Sequence, residues 1–403
     1  MNRISRIRVP AALTAFVVIA RVASVPALSD PVAGVSPAGL QLEAPWLYLV
    51  FAPVFTLWDA ISMLSISRLK GFLAGLAVLY LIWRLFGGHR PFSALREVGT
   101  LVGALALLLA FLAAGALWHR PMLALAGTGR DDLVVDFHSH TNLSHDVRGT
   151  LMRGFDAEAN RRWHARAGFD VAFITDHNLV SRESGVGSDP TVLCPGIEVS
   201  AWRAHIVLLG DTLPVDRRRY NGSFDALLAL LQTSDSAYGS LSVASLPEYR
   251  RNHWGRLDAL TRAGLDGFEI VNASPKANEI TQAERDTVIA LARAQNRFVV
   301  GVSDSHGWGA TSMVWNLVRG AADPRAEDVC ATVLNRLHAG FTAVRVIERH
   351  RLRPDAWWPL WLTPVGVVWE EWRSMGWALA ASWLVWIWAI SLRTSLGRTK
   401  IRR

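Results

Sequence analysis

The stretch VVDFHSHTNLSHD, residues 134–146, decides how the centre of this chain folds. It opens with an apolar run that is typical of a short buried strand, and His138 and His140 stand at the end of that run. Alternate residues of an extended backbone point to the same side, so both imidazoles can converge on one ion. Neutral imidazole is a ligand for zinc, iron or manganese. A single His-x-His pair is a weak signal, because surface histidines are common, and its meaning depends on the residues that follow.

The composition indicates a membrane protein with one soluble domain. Hydrophobic residues make up 51% of the 403, there are 18 Trp, and the apolar residues are concentrated at the two ends. The net charge of +8 comes largely from arginines beside these apolar segments, where membrane proteins keep them, so it requires no nucleic-acid partner. The only two cysteines, Cys194 and Cys330, favour neither a disulfide framework nor a cysteine zinc cluster.

Apolar segments predict an N-terminal membrane region over residues 1–127 and a C-terminal anchor over 351–403. An uncharged helix of 20 residues crosses about 30 Å of hydrocarbon. Residues 9–29 fit a poor span, a signal-like segment or an interfacial helix equally well. Transmembrane helices are predicted near 46–66, 69–86, 99–118 and 374–392, and a basic tail follows the last of them.

The basic tail favours one orientation of the chain. If 9–29 does not span, three spans place the central domain outside and the tail inside, as the positive-inside bias prefers; if it spans, the domain is cytoplasmic. We expect an integral protein of a bacterial inner membrane, with a slight preference for an exoplasmic domain.

The middle, residues 128–350, alternates short apolar runs with amphipathic stretches, which predicts an α/β domain and, from the number of units, a barrel. In such barrels functional groups follow the carboxyl ends of the strands. Predicted strands include Val171–Thr175, Val192–Leu193, His205–Leu209, Leu241–Ala244, Gly267–Val271 and Phe298–Val302.

Histidines and carboxylates lie at these strand ends. Each one alone is explained as well by a satisfied core histidine, a helix cap or an ion pair, but their joint occurrence indicates a metal site. Nitrogen and oxygen ligands without sulfur favour Zn, Mn or Fe. The residues concerned are His138, His140, His145, Asp176, His177, Glu198, His205, Asp304 and His306.

This ordered series resembles the polymerase-and-histidinol-phosphatase (PHP) superfamily over most of residues 131–310 and over none of the membrane segments. The resemblance implies a distorted (β/α)7 barrel with two or three divalent metal ions that hydrolyses phosphoesters. It implies that one ion is held by His138, His140, Glu198 and Asp304, a second by Glu198 and His205, and a third by His145, His177 and His306.

One position departs from the superfamily pattern. A His is expected just before a Pro after the strand 241–244, where this chain has Ser245-Leu246-Pro247. The second ion therefore lacks a ligand unless His253 or Glu248 supplies one. Asp176 is expected to orient a metal-bound imidazole, and Glu269 to do the same or to be structural.

A metal-bound water, with its pKa lowered towards about 7, is the expected nucleophile. Arg203 and Arg250, with Arg251 and Arg256, are candidates for holding the substrate phosphate, although each is equally well an ordinary surface arginine. The sequence thus predicts a membrane-anchored, metal-dependent phosphatase or phosphodiesterase. Its expected substrate is a small-molecule, lipid or sugar phosphoester, and its membrane segments are expected to contact lipid.

Two alternatives remain open. A PHP-type nuclease is one, although the middle domain has no basic strip with interleaved aromatic residues. A degenerate PHP domain that serves as a membrane-bound sensor is the other, and Ser245 is its support.

Overall fold

The computed structural model describes residues 3–87, 93–181, 185–210, 214–319 and 326–400. Its strands are β1 (Leu28–Ser29), β2 (Gln41–Glu43), β3 (Ala124–Ala126), β4 (Asp132–Ser139), β5 (Val171–Ile174), β6 (Val192–Ala201), β7 (Ala204–Leu209), β8 (Leu241–Ala244), β9 (Gly267–Asn272), β10 (Phe298–Val302), β11 (Val314–Arg319) and β12 (Val344–Arg349).

The α-helices within these ranges are α1 (Arg3–Val22), α2 (Trp46–Val50), α3 (Ala52–Ser62), α4 (Ile66–Gly87), α5 (Ala94–Leu117), α6 (His145–Arg148), α7 (Ala157–Ala167), α8 (Phe224–Tyr238), α9 (Leu246–Asn252), α10 (Leu257–Arg262), α11 (Gln282–Ala294), α12 (Val329–Leu337), α13 (Thr363–Ser374) and α14 (Trp377–Lys400). Short 3-10 helices occupy Arg217–Arg219, Trp254–Arg256, Ala277–Glu279, Gly340–Thr342 and Leu360–Leu362.

Ten strands form one curled sheet in the order β1-β12-β11-β4-β5-β6-β7-β8-β9-β10. The pairs β4–β5, β5–β6, β8–β9 and β9–β10 are parallel. Every residue of β5, β9 and β10 is buried, as expected for parallel strands that are covered on both faces. The chain after β10 returns to β4, where Asp304 N donates to His138 O at 3.0 Å and His140 N donates to Ser305 O at 2.9 Å. The sheet is therefore a half-barrel whose last strand end lies beside the end of β4.

The α/β class agrees with the sequence prediction, but the sheet is mixed where a regular βα alternation was expected. Strand β7 pairs antiparallel with both β6 and β8. Only Trp202 and Arg203 separate β6 from β7, and both have positive φ, as a two-residue hairpin turn of this kind requires. A turn this short leaves no room for a crossover helix. The distorted (β/α)7 barrel that the resemblance implies is therefore not confirmed by this sheet.

Helix α7 illustrates how local sequence holds the site in place. The Asp156 side chain caps its first turn by accepting from Ala159 N at 2.8 Å, and Gly168 ends it in the left-handed conformation, with φ of 82°. On its buried face, Asn160 Nδ2 donates to His140 O at 2.9 Å. The helix therefore fixes the backbone of one predicted metal ligand.

The two cysteines form a disulfide, which the cysteine count did not predict. Cys194 in β6 and Cys330 in α12 are 136 positions apart in sequence, yet their Cα atoms lie 5.6 Å apart. The fold alone brings them together, because neither residue has a local partner.

Two helices in the described ranges are long and apolar enough to cross a membrane: residues 66–86, with 21 residues, and 94–117, with 24. They match the spans predicted near 69–86 and 99–118. Length and composition alone are weak grounds, since a core helix of a soluble protein passes the same test; here, however, 17% and 6% of the two apolar windows are buried. Few residues of either window are therefore buried inside the protein.

The span predicted near 46–66 is wrong. This segment breaks at Phe51 into α2 and α3, of 5 and 11 residues, and α3 packs Phe55 and Trp58 inside the protein. The span predicted near 374–392 falls in α14, whose apolar part Trp377–Arg393 is shorter. Residues 9–22 belong to α1, which lies against α14, where Trp388 Nε1 donates to Thr14 Oγ1 at 3.1 Å.

Candidate metal centre

The first ligand group lies at the carboxyl end of β4. The Nε2 atoms of His138 and His140 are 3.0 Å apart, and both rings are buried. Glu198 Oε2, from β6, lies 3.3 Å and 3.4 Å from these two nitrogens. Asp304 Oδ1, from the segment after β10, lies 3.5 Å and 3.3 Å from them. Two imidazoles and two carboxylates therefore face one point, as the sequence analysis expects for the first ion.

A second group shares Glu198 with the first. Glu198 Oε1 lies 2.9 Å from His205 Nδ1, and its Oε2 lies 3.0 Å from His177 Nδ1. Glu248 Oε2, from α9, lies 3.8 Å from His205 Nδ1. Glu248 therefore lies beside the group that lacks the His ligand expected at position 245.

A third group contains His140, His177, His306 and a carboxylate that the sequence analysis missed. Asp146 Oδ2 lies 2.7 Å from His306 Nε2 and 3.1 Å from His177 Nε2. The neighbouring His145 was the predicted ligand. Successive residues of a helix point about 100° apart, so α6 can direct only one of the two side chains into the group.

His145 instead packs its ring beside that of His177, with centroids 4.9 Å apart, and belongs to none of the ligand groups found among the described residues. The signal that could have found Asp146 is its position beside His145, because a carboxylate is as good a ligand for these metals as an imidazole.

These residues fit divalent metal ions. His140 Nδ1 is buried and has no hydrogen-bond partner within the described structure. A buried polar atom without a partner lowers the stability of the fold unless an ion or a water molecule binds to it. Nitrogen and carboxylate oxygen donors without sulfur suit Zn, Mn or Fe. The chain therefore has groups of side chains that can bind divalent metal ions.

The carboxylates of the centre are ionised at neutral pH. Burial by itself raises the pKa of Glu198 and of Asp304, but the neighbouring His138 holds both pKa values well below their usual range. Burial by itself lowers the pKa of His138, and Glu198, Asp304 and Glu269 raise it well above its usual value. The two ionised carboxylates can therefore serve as metal ligands without first losing a proton.

The outer histidines are basic in the metal-free protein. For His205, burial lowers the pKa, but Glu198 and Glu248 outweigh it and raise the pKa to about 9. For His306, Asp304 and Asp146 likewise outweigh burial and raise the pKa to about 9. Protons therefore occupy, at neutral pH, positions that a metal ion would take.

Glu269 lies within β9 and supports His138. Its Oε1 is 2.6 Å from His138 Nδ1, and its Oε2 accepts from Leu246 N at 2.8 Å and from Asn272 Nδ2 at 2.9 Å. A carboxylate on Nδ1 fixes the ring and leaves Nε2 free to bind metal. Glu269 thus has the position of an orienting residue.

Asp176 does not contact an imidazole in the way the sequence analysis expects. Its two oxygens accept from Thr141 N at 2.7 Å and Thr141 Oγ1 at 2.6 Å, so it holds the loop after β4. An imidazole is instead held by Asp136, whose Oδ2 lies 2.8 Å from Nε2 of His164. A charged residue inside the apolar run of β4 was the signal for this buried network.

The remaining candidates lie apart from the three groups. The buried ring of His253 packs against Trp202 and Phe224, with centroid distances of 5.6 Å and 5.8 Å. Arg250 pairs with Glu284 at 3.0 Å, and the Arg203 guanidinium lies 5.8 Å from the centroid of the Trp202 ring. None of the three residues belongs to a ligand group in the described ranges.

The comparisons with known proteins identify no family for this chain. No family model and no curated protein matches the chain. PsfC from Pseudomonas syringae is similar at 15% identity with a TM-score of 0.35, covering 60% of this chain and 98% of its own. A proposed metal-dependent phosphoesterase from Bifidobacterium adolescentis is similar at 17% identity with a TM-score of 0.32, covering 51% and 96%. Similarity this low carries no functional weight, and the function has to be inferred from the site.

Proposed function

We propose that the chain is a membrane-anchored, metal-dependent hydrolase of phosphoester bonds. The observation that supports it best is the sharing of ligands between neighbouring groups: Glu198 belongs to two groups, and so do His140 and His177. A shared carboxylate such as Glu198 can hold two ions close together through its two oxygens, and closely spaced ions suit the displacement of one oxygen by another at phosphorus.

The residues divide among the ions as follows. His138, His140, Glu198 and Asp304 would hold the first. His177, Glu198 and His205 would hold the second, with Glu248 in place of the absent His at position 245. His140, His177, Asp146 and His306 would hold the third. When bound, such ions supply an activated water and neutralise charge on the phosphoryl oxygens.

The chain's own residues prepare this centre in two ways. Glu269 keeps His138 in one orientation, and Asp176 fixes the loop that carries His140 into α6. Glu198 and Asp304 are also ionised in the metal-free protein, so neither carboxyl group has to lose a proton before it binds an ion. No arginine contacts the ligand groups in the described ranges, so we assign neutralisation of the substrate phosphate to the metal ions.

Charge and the disulfide support a proposal about the membrane side. Helix α4 starts at the half-barrel, where Ser67 N donates to Glu279 Oε1 at 2.6 Å. The far ends of α4 and α5 carry Arg84 and Arg96 beside Glu97, and the far ends of α1 and α14 carry Arg8 and Arg393. Basic ends favour the cytoplasm. The Cys194–Cys330 disulfide favours an oxidising compartment. Both point to an exoplasmic catalytic domain.

The function is tested on the full chain in detergent, by measuring bound metal and turnover of mono- and bis-p-nitrophenyl phosphate. We expect two or three ions per chain and turnover of one of the esters. His138→Ala with His140→Ala abolishes turnover, whereas His338→Ala, at an exposed position of the same domain, does not. A double variant as active as the wild type would refute the proposal, and bound metal without turnover would favour the sensor.

A further inference from the structure

A cavity of about 480 Å³ lies between the helices α3, α4 and α5 and the segment that follows β10. Most of its wall is apolar. The helices contribute Trp58, Ile61, Leu69, Leu112 and Ala116. The lining contains no Lys or Arg. The cavity is therefore a poor site for a nucleic acid or for a small, highly charged metabolite that has no apolar part.

One end of the same cavity is the candidate metal centre. Ser303, Asp304 and His306 line it there. Asp304 Oδ1 lies 3.3 Å from His140 Nε2, and His306 Nε2 lies 2.7 Å from Asp146 Oδ2, so both residues belong to the metal-binding cluster. A ligand in the cavity would reach the centre at one end and apolar side chains at the other.

The apolar end is built from the candidate membrane helices. Leu69 belongs to α4, and Leu112 and Ala116 belong to α5, the two helices that are long and apolar enough to cross a bilayer. Trp58 lies beside them and donates from Nε1 to Leu112 O at 3.3 Å. A molecule already in the bilayer could therefore enter the cavity along α4 and α5, without its apolar part passing through water.

We propose that the substrate is a lipid phosphoester, with its acyl chain along Trp58, Leu69 and Leu112 and its phosphoryl group at Asp304 and His306. This rests on the proposed hydrolase function and adds the substrate class. In the reaction water supplies the oxygen that bonds to phosphorus, the ester P–O bond breaks, and the departing lipid or headgroup oxygen takes up a proton. Burial of methylenes against the cavity wall favours binding of longer chains.

The experiment compares esters that share a phosphate and differ in their apolar part. Full-length protein in mixed micelles is given phosphatidic acid or phosphatidylglycerol with two six-carbon or two eight-carbon chains. Glycerol 3-phosphate and the p-nitrophenyl esters are the soluble references. We expect kcat/KM for the preferred lipid to exceed that for the soluble ester by at least about tenfold, and to rise from six to eight carbons.

Variants test the cavity directly. Ala116→Trp fills it, and the matched control Ala113→Trp places the same side chain on the exposed face of α5. We expect the ratio of lipid to soluble turnover to fall at least about tenfold in Ala116→Trp and to stay at the wild-type value in Ala113→Trp. Leu112→Ala, which cannot clash, should lower the same ratio severalfold.

The outcomes separate the two proposals. Turnover of p-nitrophenyl esters with no preference for lipid, or equal ratios in the Ala116 and Ala113 variants, would overturn the lipid assignment and leave the hydrolase standing. No turnover of any ester by metal-loaded protein would overturn the hydrolase and the lipid assignment with it.

Discussion

Glu198 Oε1 lies 2.9 Å from Nδ1 of His205, at the mouth of the half-barrel. The other oxygen of the same carboxylate faces His138 and His140 in the adjoining ligand group. One buried side chain therefore connects two candidate metal positions, and its removal affects both.

We expect Glu198→Gln to lower both metal content and activity. The neutral amide keeps the shape but removes the charge that two groups share, so we expect the loss of at least one ion and a fall in turnover of more than about a hundredfold. Metal analysis and ester hydrolysis measure the two effects. Glu327→Gln, at an exposed position, is the control. Wild-type metal content in Glu198→Gln would contradict the shared-ligand assignment.

Glu248 is expected to replace the missing histidine ligand. Glu248→Ala should weaken binding of the most weakly held ion about 10–100-fold, because Glu198 is then the one carboxylate paired with His205 among the described residues. Metal titration of the metal-free protein measures this, with Glu248→Asp as the conservative comparison. Equal metal affinity in the wild type and in Glu248→Ala would show that Glu248 does not replace the missing His ligand. It would favour the alternative that the domain is a membrane-bound sensor.

Metal affinity should rise with pH up to about 9. His205 and His306 have folded-state pKa values of about 9, raised from 6.5, so both carry protons at pH 7 that a metal ion must displace. The same shifts stabilise the metal-free fold fully below about pH 6.5, and this contribution is lost as the pH rises through 9. Calorimetry in buffers of different ionisation enthalpy should detect proton release at pH 7. An affinity that does not change between pH 6.5 and about 9 would contradict these assignments.

Reduction of the disulfide should destabilise the catalytic domain. The bond joins residues 136 positions apart, and closing a loop of this length contributes roughly 4–5 kcal/mol through the unfolded state. We expect a lower unfolding midpoint in reductant and in the variant with Cys194→Ser and Cys330→Ser. Reductant should have no further effect on that double variant. Identical midpoints for oxidised and reduced wild type would argue against the bond and against an oxidising compartment.

The orientation proposal predicts which residues can be labelled from outside. In intact cells a membrane-impermeant maleimide should label a cysteine at Glu327→Cys in the catalytic domain. It should not label one at Ser93→Cys, between α4 and α5, until the membrane is permeabilised. Both positions are exposed. The reverse pattern would place the domain in the cytoplasm.

The local sequence was enough to predict those side chains of the site whose positions depend on the end of a single strand. The spacing of His138 and His140 predicts that both imidazoles face one side, and in the structure their Nε2 atoms are 3.0 Å apart. Asp304 follows the end of β10, as the pattern of apolar runs predicts, whereas Glu198 lies inside β6, which continues past the predicted strand Val192–Leu193. The barrel form was only partly predictable, because apolar runs do not reveal that β7 pairs antiparallel with its neighbours.

The sequence by itself determined the α/β class, the metal-binding character of the centre and the two most apolar helices, because periodicity and residue type act over a few residues. Only the tertiary structure decided that Asp146 rather than His145 enters the third group, since that depends on how α6 is oriented. It also decided the Cys194–Cys330 bond, the approach of Glu248 to His205 and the cavity between α5 and the metal centre. Each of these joins segments far apart in the chain, and their proximity is a property of packing that no local pattern carries.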